Sequence, residues 1–378
     1  MRTPRRPRPS WSSCLATAAV TLAMAGCESG GGSGPVESPA PALTTAWRWV
    51  APPPSYVGMP GADDAGVAVT FGRSHLVLFD AAGEPRWTVD RRGLRDVAPR
   101  LTSDSVLVAT EDGLAAFDRE AGGERWATEV GERANVPVLA AGRAVASTWE
   151  GSLVGFDPAT GLVAWRTGLP GPALGPAAAA PGDTVVVSWE ADHGASAGVV
   201  AVDASTGRQR WSAPVPPGGV SAPGVVAPTA GGPPLVVVVA GDGAAHGLAS
   251  ESGAEQWRAD LDAAGSPENA PLDAGGGAAL VAHRLGGMAL LDGADGSVRW
   301  QVASDGAAER GGPAGPGPRG LFALPLEDGR LLLAGPDLPT ATVDPPGRVS
   351  GVAMGPGGTL VTGVREAVDN DLTTSTGW

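Results

Sequence analysis

A glycine four residues ahead of a tryptophan recurs six times: Gly83…Trp87, Gly122…Trp126, Gly161…Trp165, Gly207…Trp211, Gly253…Trp257 and Gly296…Trp300. No other feature restricts the fold as strongly, because self-similarity at a fixed period is the mark of a repeat architecture. In four copies an aspartate stands eight residues before the tryptophan, as Asp118, Asp157, Asp203 and Asp292. Asp80 does the same with one residue deleted, and Ala249 replaces the aspartate in the fifth copy. Successive tryptophans from Trp87 to Trp300 are 39, 39, 46, 46 and 43 residues apart, the length of four short strands with their turns.

Each copy follows a hairpin pattern, as in Val106–Thr110, the turn Glu111-Asp112-Gly113, then Leu114–Asp118. The aspartate ends a strand and caps the turn with its own side chain, while the glycine supplies the positive φ that the turn needs. The tryptophan then opens the next strand with a large apolar face, which a lone four-stranded sheet cannot bury. Sheets stacked side by side in a ring can bury it. Short apolar runs such as Thr184–Val187 and Leu235–Val239 alternate with turn residues, and the 58 glycines and 36 prolines punctuate them. The fold class is therefore all-β, and no amphipathic helix period is sustained beyond the N-terminal segment.

This pattern is similar to the tryptophan-docking motif of PQQ-like repeats, with Ala, Asp, Gly and Trp at relative positions 1, 3, 7 and 11. The fullest copy is Ala201-Val202-Asp203-Ala204-Ser205-Thr206-Gly207-Arg208-Gln209-Arg210-Trp211. The resemblance covers essentially all of residues 46–378 and implies a single β-propeller of about eight four-stranded blades, with seven as the alternative count. The 78 residues from Trp300 to Trp378 leave room for two degenerate units; one keeps the turn Gly335-Pro336-Asp337 but has lost its tryptophan. The segment Ala46-Trp47-Arg48-Trp49-Val50 reads as an outer strand without its own blade. The last unit, Val349–Met354, Thr359–Val364 and Leu372–Trp378, supplies three strands. The two termini are thus expected to complete one blade together and to remove the exposed edges. Ala191–Gly198 is expected as a loop insertion.

The N-terminus carries a second signal. Arg2, Arg5, Arg6 and Arg8 precede a short apolar stretch, Cys14 to Ala25, which is too short to span a bilayer. Met24-Ala25-Gly26-Cys27 then resembles the lipobox of bacterial lipoproteins, with Met24 where that family usually carries leucine. The resemblance implies a signal peptide over 1–26, cleavage before Cys27, and a diacylglycerol thioether on Cys27. Several acyl chains together give stable anchoring. Residues 27–45 then read as a Gly/Ser tether turning Pro-rich. The expected location is the outer face of the cell membrane or, in a double-membrane cell, the periplasm. With Cys14 in the leader and Cys27 lipidated, the domain has neither a disulfide nor a thiolate metal site.

Charge narrows the partner classes. The formal net charge is −14 and all 26 basic residues are arginine, four of them in the leader. Such a surface repels phosphate backbones, so no nucleic-acid partner is expected. His75, His193, His246 and His283 fall in different repeats without metal-ligand spacing and read as scattered surface residues. The PQQ-like family has catalytic and non-catalytic branches. Quinone-dependent dehydrogenases use a catalytic Asp, Ca²⁺ ligands from Glu and Asn, and often a vicinal disulfide. None of these positions can be matched in this chain, so no catalytic residue, cofactor or metal is assigned. The non-catalytic branch includes the lipoprotein of the outer-membrane β-barrel assembly machinery, which this chain resembles in signal, tether, length and repeat. The implied role is a monomeric, protein-binding scaffold in the cell envelope. A small-ligand-binding propeller, or a quinone-dependent dehydrogenase, is the alternative. Trp149 and Trp189 lie outside the docking register, each after an apolar strand and followed by Glu150 or Glu190. They are expected at corresponding places in adjacent blades, either as packing between blades or as partner-binding anchors on one rim.

Overall fold

The computed structural model describes residues 18–24, 43–49, 51, 57–227, 232–261, 269–283, 285–309, 312–345, 348–355 and 358–365. These residues form eight antiparallel sheets, seven of four strands and one of three. The first six follow one another along the chain, from the sheet of residues 61–90 to the sheet of residues 272–303. In each, four consecutive strands pair in sequence order from an inner to an outer edge. Inner strands of neighbouring sheets touch around the axis, and those of the first and last sheets meet as well, which closes the ring. The architecture is a β-propeller.

Burial follows from this stacking. The second and third strands of each sheet are covered on both faces by the adjacent sheets. They therefore read as continuous apolar runs rather than as alternations. Leu235–Val239 is buried throughout, as is Ser152–Phe156. The outermost strands alternate instead, as in Val163–Gly168. The core is accordingly a ring of inter-sheet clusters. One joins Val186, Val199 and Trp211 to Val236, Val238 and Leu248 of the next sheet.

The expected closing sheet has its strands in the order 43–49, 18–24, 359–365, 348–355. Both ends of the chain thus share one sheet, with 43–49 outermost. The third position is held by Ala18–Met24, a piece of the apolar stretch Cys14 to Ala25. Leu372–Trp378, expected at that position, lies outside the described residues, as do Cys27 and residues 28–42; residues 43–45, expected in the tether, belong to the strand 43–49 instead. The seventh sheet has three strands, Phe322–Pro325, Leu331–Gly335 and Leu338–Val343. Its inner strand is reduced to one bridge, in which Ala314 and Ala323 exchange both backbone hydrogen bonds.

Two sequence expectations are corrected. Ala191–Gly198 is a longer hairpin rather than a loop insertion: strands 184–191 and 196–203 pair without a break to Ala191↔Ser196. Added residues that continue the pairing keep their backbone groups bonded, which a loop would not. Two of the four histidines are not on the surface, while His193 is exposed and His75 partly so. His246 and His283 are buried, at 2% and 4% exposure. His246 is held at Nδ1 by Glu255 (2.7 Å) and at Nε2 by Asp242 (3.3 Å).

Candidate functional site

The docking motif forms a belt of joints near the outer rim. Each motif glycine from Gly122 to Gly296 has a φ between +72° and +74°, and its missing side chain faces the tryptophan of the preceding sheet. A β-carbon on Gly122, Gly161, Gly207, Gly253 or Gly296 would lie 2.4–2.8 Å from the ring of Trp87, Trp126, Trp165, Trp211 or Trp257. The same five indole N–H groups donate, at 2.8–3.1 Å, to the carbonyls of Arg119, Pro158, Ala204, Ser250 and Gly293. Each of these five tryptophans is thus pinned against the turn of the next sheet. Glycine is required there for two independent reasons, its backbone angle and the closeness of the ring.

The motif aspartates hold those turns from within. Asp118, Asp157 and Asp203 each accept two backbone N–H groups through Oδ1. Asp292 accepts one, from Ala294, and Asp80 accepts those of Ala82 and Glu84. Donors aimed at the carboxylate favour its charged form. The Ser205 hydroxyl, followed by Arg210 and Thr206, accordingly holds Asp203 far below the usual carboxylate range. Asp118 is lowered chiefly by the Ala121 N–H and by Arg125. Ala249 shows that the turn forms without the carboxylate. There the backbone bond Gly253 N–H to Ala249 O persists at 2.8 Å without it. The residue before the tryptophan was not singled out from sequence. Arg125, Arg210 and Arg299 occupy it and pair with Asp118, Asp203 and Asp292 at 2.6–2.8 Å. The signal was present, as Arg-Trp in four copies that also carry the aspartate, Arg86-Trp87 being the fourth.

Trp149 and Trp189 sit differently from each other, which corrects their expected correspondence. Ala134 bridges to Thr148 in the third sheet, whereas Ala173 bridges to Trp189 in the fourth. Trp149 therefore corresponds to Glu190, not to Trp189, and a shift of one residue along a strand turns the side chain to the opposite face. Trp189 is half-buried against the apolar cluster between the third and fourth sheets, beside Gly198. Trp149 is 46% exposed at the turn between the second and third strands.

The surroundings of Trp149 fix its orientation. Its Nε1 donates to Asn135 Oδ1 at 2.9 Å. Asn135 is buried, and its Nδ2 donates to Ser147 Oγ (3.1 Å) and to the Gly175 carbonyl of the next sheet (2.9 Å). The guanidinium carbons of Arg95 and Arg133 lie 4.9 Å and 5.0 Å from the indole centroid, within cation–π reach. Arg95 comes from the preceding sheet and also donates to the Ala134 carbonyl; burial pushes its guanidinium down. Arg133 pairs with Glu150 at 2.9 Å and donates its backbone N–H to the same carboxylate. Burial pushes the Glu150 carboxyl up, but these Arg133 bonds outweigh it and hold Glu150 below its ordinary range. The result is a rigid, half-exposed aromatic surface flanked by cations and supported by three sheets. Among the described residues, no group of three His, Cys, Asp or Glu side chains is placed to hold a metal ion.

Comparison with known proteins agrees with this architecture. No curated protein sequence matches the chain. The crystal structure of BamB from Moraxella catarrhalis superposes with a TM-score of 0.58 at 16% identity, covering 86% of this chain and 87% of that one. A computationally designed protein, Ika8, superposes with a TM-score of 0.64 at 12% identity, covering 82% and 96%. At such identities these likenesses establish the fold. The family described as outer membrane protein assembly factor BamB matches residues 72–220 and 149–315, which together span more than half of the chain. The chain belongs to that family of PQQ-like repeat β-propellers.

Proposed function

We propose that this protein is a non-catalytic protein-binding scaffold of the cell envelope, exported and anchored through lipid on Cys27, with Trp149 at the centre of its partner-binding face. The observation that carries this reading is the preorganised exposure of Trp149. Asn135 fixes its indole edge, Arg95 and Arg133 lie close to its ring, and about half of the side chain still faces solvent. Aromatic and arginine side chains of this kind dominate binding energy at interfaces. A side chain immobilised before binding loses little entropy when a partner arrives. Family membership supports an assembly role at the envelope, and the lipobox Met24–Cys27 followed by a tether supports anchoring. Trp189, half-buried, is assigned to packing between sheets.

In-cell cross-linking of the lipidated protein, followed by purification and mass spectrometry, tests the scaffold role. Recovery of one stoichiometric envelope protein is the expected result. The absence of any reproducible partner, or turnover of an alcohol or sugar with added quinone and Ca²⁺, contradicts it.

A further inference from the structure

Arg95 is held from three sheets at once. Its backbone N–H donates to the Ala109 carbonyl at 3.0 Å, and its carbonyl accepts the Thr70 hydroxyl of the first sheet at 3.1 Å. Its Nη1 donates to the Ala134 carbonyl of the third sheet. The guanidinium beside Trp149 is therefore placed before any partner arrives. Nε and Nη2 together form the flat edge that a carboxylate can grip with two hydrogen bonds. Neither has an acceptor among the described residues, and neither is sealed from solvent.

The carboxylates of this region are engaged elsewhere. Asp96 accepts Arg73 Nε at 3.2 Å, Glu150 accepts Arg133 at 2.9 Å, and Glu111 lies outside ion-pair distance of Arg95. The charges of Glu111, Glu150 and Asp96 raise the pKa of Arg95, yet burial outweighs them and lowers it. Arg95 is thus a partly buried cation whose desolvation is not offset within the chain.

We propose that the partner docking on the Trp149 face presents an aspartate or glutamate to Arg95, next to a large apolar side chain that covers the indole. The proposal rests on the scaffold reading above and adds the partner's chemistry to it. The indole selects the apolar member of that pair. Its Nε1 is taken up by Asn135, so the exposed half of the side chain offers carbon surface. Arg95 selects the acidic member, through a bidentate bond that docking shelters from water. Arg133 cannot serve in the same way, because Glu150 already holds both its Nε and its backbone N–H. In a chain of formal charge −14, most of the surface repels an acidic segment, which confines it to this place.

The test exploits the absence of lysine from the chain. Arg95→Lys keeps the charge and introduces a single side-chain amine. Carbodiimide treatment of isolated membranes couples that amine, without a spacer, to a carboxylate in ion-pair contact. An amide to an aspartate or glutamate of the partner, absent from the unaltered protein, is expected. Coupling only to Asp96, Glu111 or Glu150 of the same chain overturns the proposal. In a second arm, Arg95→Gln should weaken the complex about thirtyfold or more and flatten its salt dependence at an unchanged unfolding midpoint. Arg133→Gln should weaken it less, and equal losses overturn the assignment to Arg95. A partner recovered by the unaltered protein but never coupled in Arg95→Lys removes this proposal alone. No reproducible partner of the unaltered protein removes the scaffold reading, and the proposal with it.

Discussion

The regular sector, from Trp87 to Gly296, and the closing sector, from residue 304 through the last sheet, solve the same problem with different parts. In the regular sector five joints repeat one arrangement: indole on glycine, indole N–H to carbonyl, and, in all but the fifth-copy turn, aspartate inside the turn. In the closing sector the motif has lapsed. Trp300 meets Phe322 at 6.4 Å, tilted by 35°, in place of a motif glycine. Trp49 of the last sheet packs edge-on against Phe71 and Phe79 of the first, both at 5.2 Å. Arg348 and Glu309 add an ion pair across the seventh and eighth sheets. Burial of both apolar faces of every sheet against its neighbours is thus the general requirement of the ring. The tryptophan motif is its most economical local solution, as expected when stability is a sum over neighbouring units.

This comparison can be broken most forcefully at a tryptophan. Trp126→Ala removes a buried ring and its bond to Pro158, and should cost about 3–5 kcal/mol in urea unfolding. Trp300→Ala, in the looser joint, should cost clearly less. Equal losses would mean that the two sectors are joined alike. Next in size is a pair of glycines with the same backbone angle. Gly207 and Gly320 both have φ of +72°, but a β-carbon at Gly207 would lie 2.4 Å from Trp165, whereas Gly320 has open space. Gly320→Ala should cost about 1 kcal/mol of backbone strain. Gly207→Ala should cost roughly 2–4 kcal/mol, with steric overlap added.

The aspartates give a smaller, pH-dependent effect. Asp203 has a depressed pKa in the folded protein, so its contribution is complete above the unfolded value of about 4. It is lost as the pH falls through the lower, folded value. Asp203→Asn should therefore flatten the acid limb of the stability profile and leave its shape at neutral pH unchanged. Ala249→Asp, which restores the missing carboxylate in the fifth copy, should raise the midpoint slightly and steepen that limb. An unchanged acid limb in both variants would remove the aspartates from the turn's stability.

Much of this architecture was legible in the sequence because the repeat is local. A fixed Asp–Gly–Trp spacing lies within one turn, and five joints report the same geometry. The candidate site was less legible. That Trp149 and Trp189 differ by one place depends on hairpin register, set by the backbone bridges of Ala134 and Ala173 rather than by the residues around each tryptophan. Arg95 and Asn135 reach Trp149 from 54 and 14 residues away along the chain, with no spacing to announce the contact. The long hairpin 184–203 looked like an insertion because its tip, Asp192–Gly194, is polar and glycine-bearing. The buried position of His246 depends on partners from a turn and an outer strand that no motif connects.

The smallest expected effect on stability is at the position proposed to bind the partner. Trp149 is half-exposed, and Trp149→Ala should change unfolding by less than about 1 kcal/mol. Trp189→Ala removes packing from the cluster between the third and fourth sheets and should cost more. The most direct measurement is quantitative in-cell cross-linking of these two variants beside the unaltered protein, with unfolding midpoints measured in parallel. Loss of the envelope partner in Trp149→Ala at an unchanged midpoint, with the partner retained in folded Trp189→Ala, is the predicted result. Full recovery of the partner by Trp149→Ala would contradict the assignment of that face.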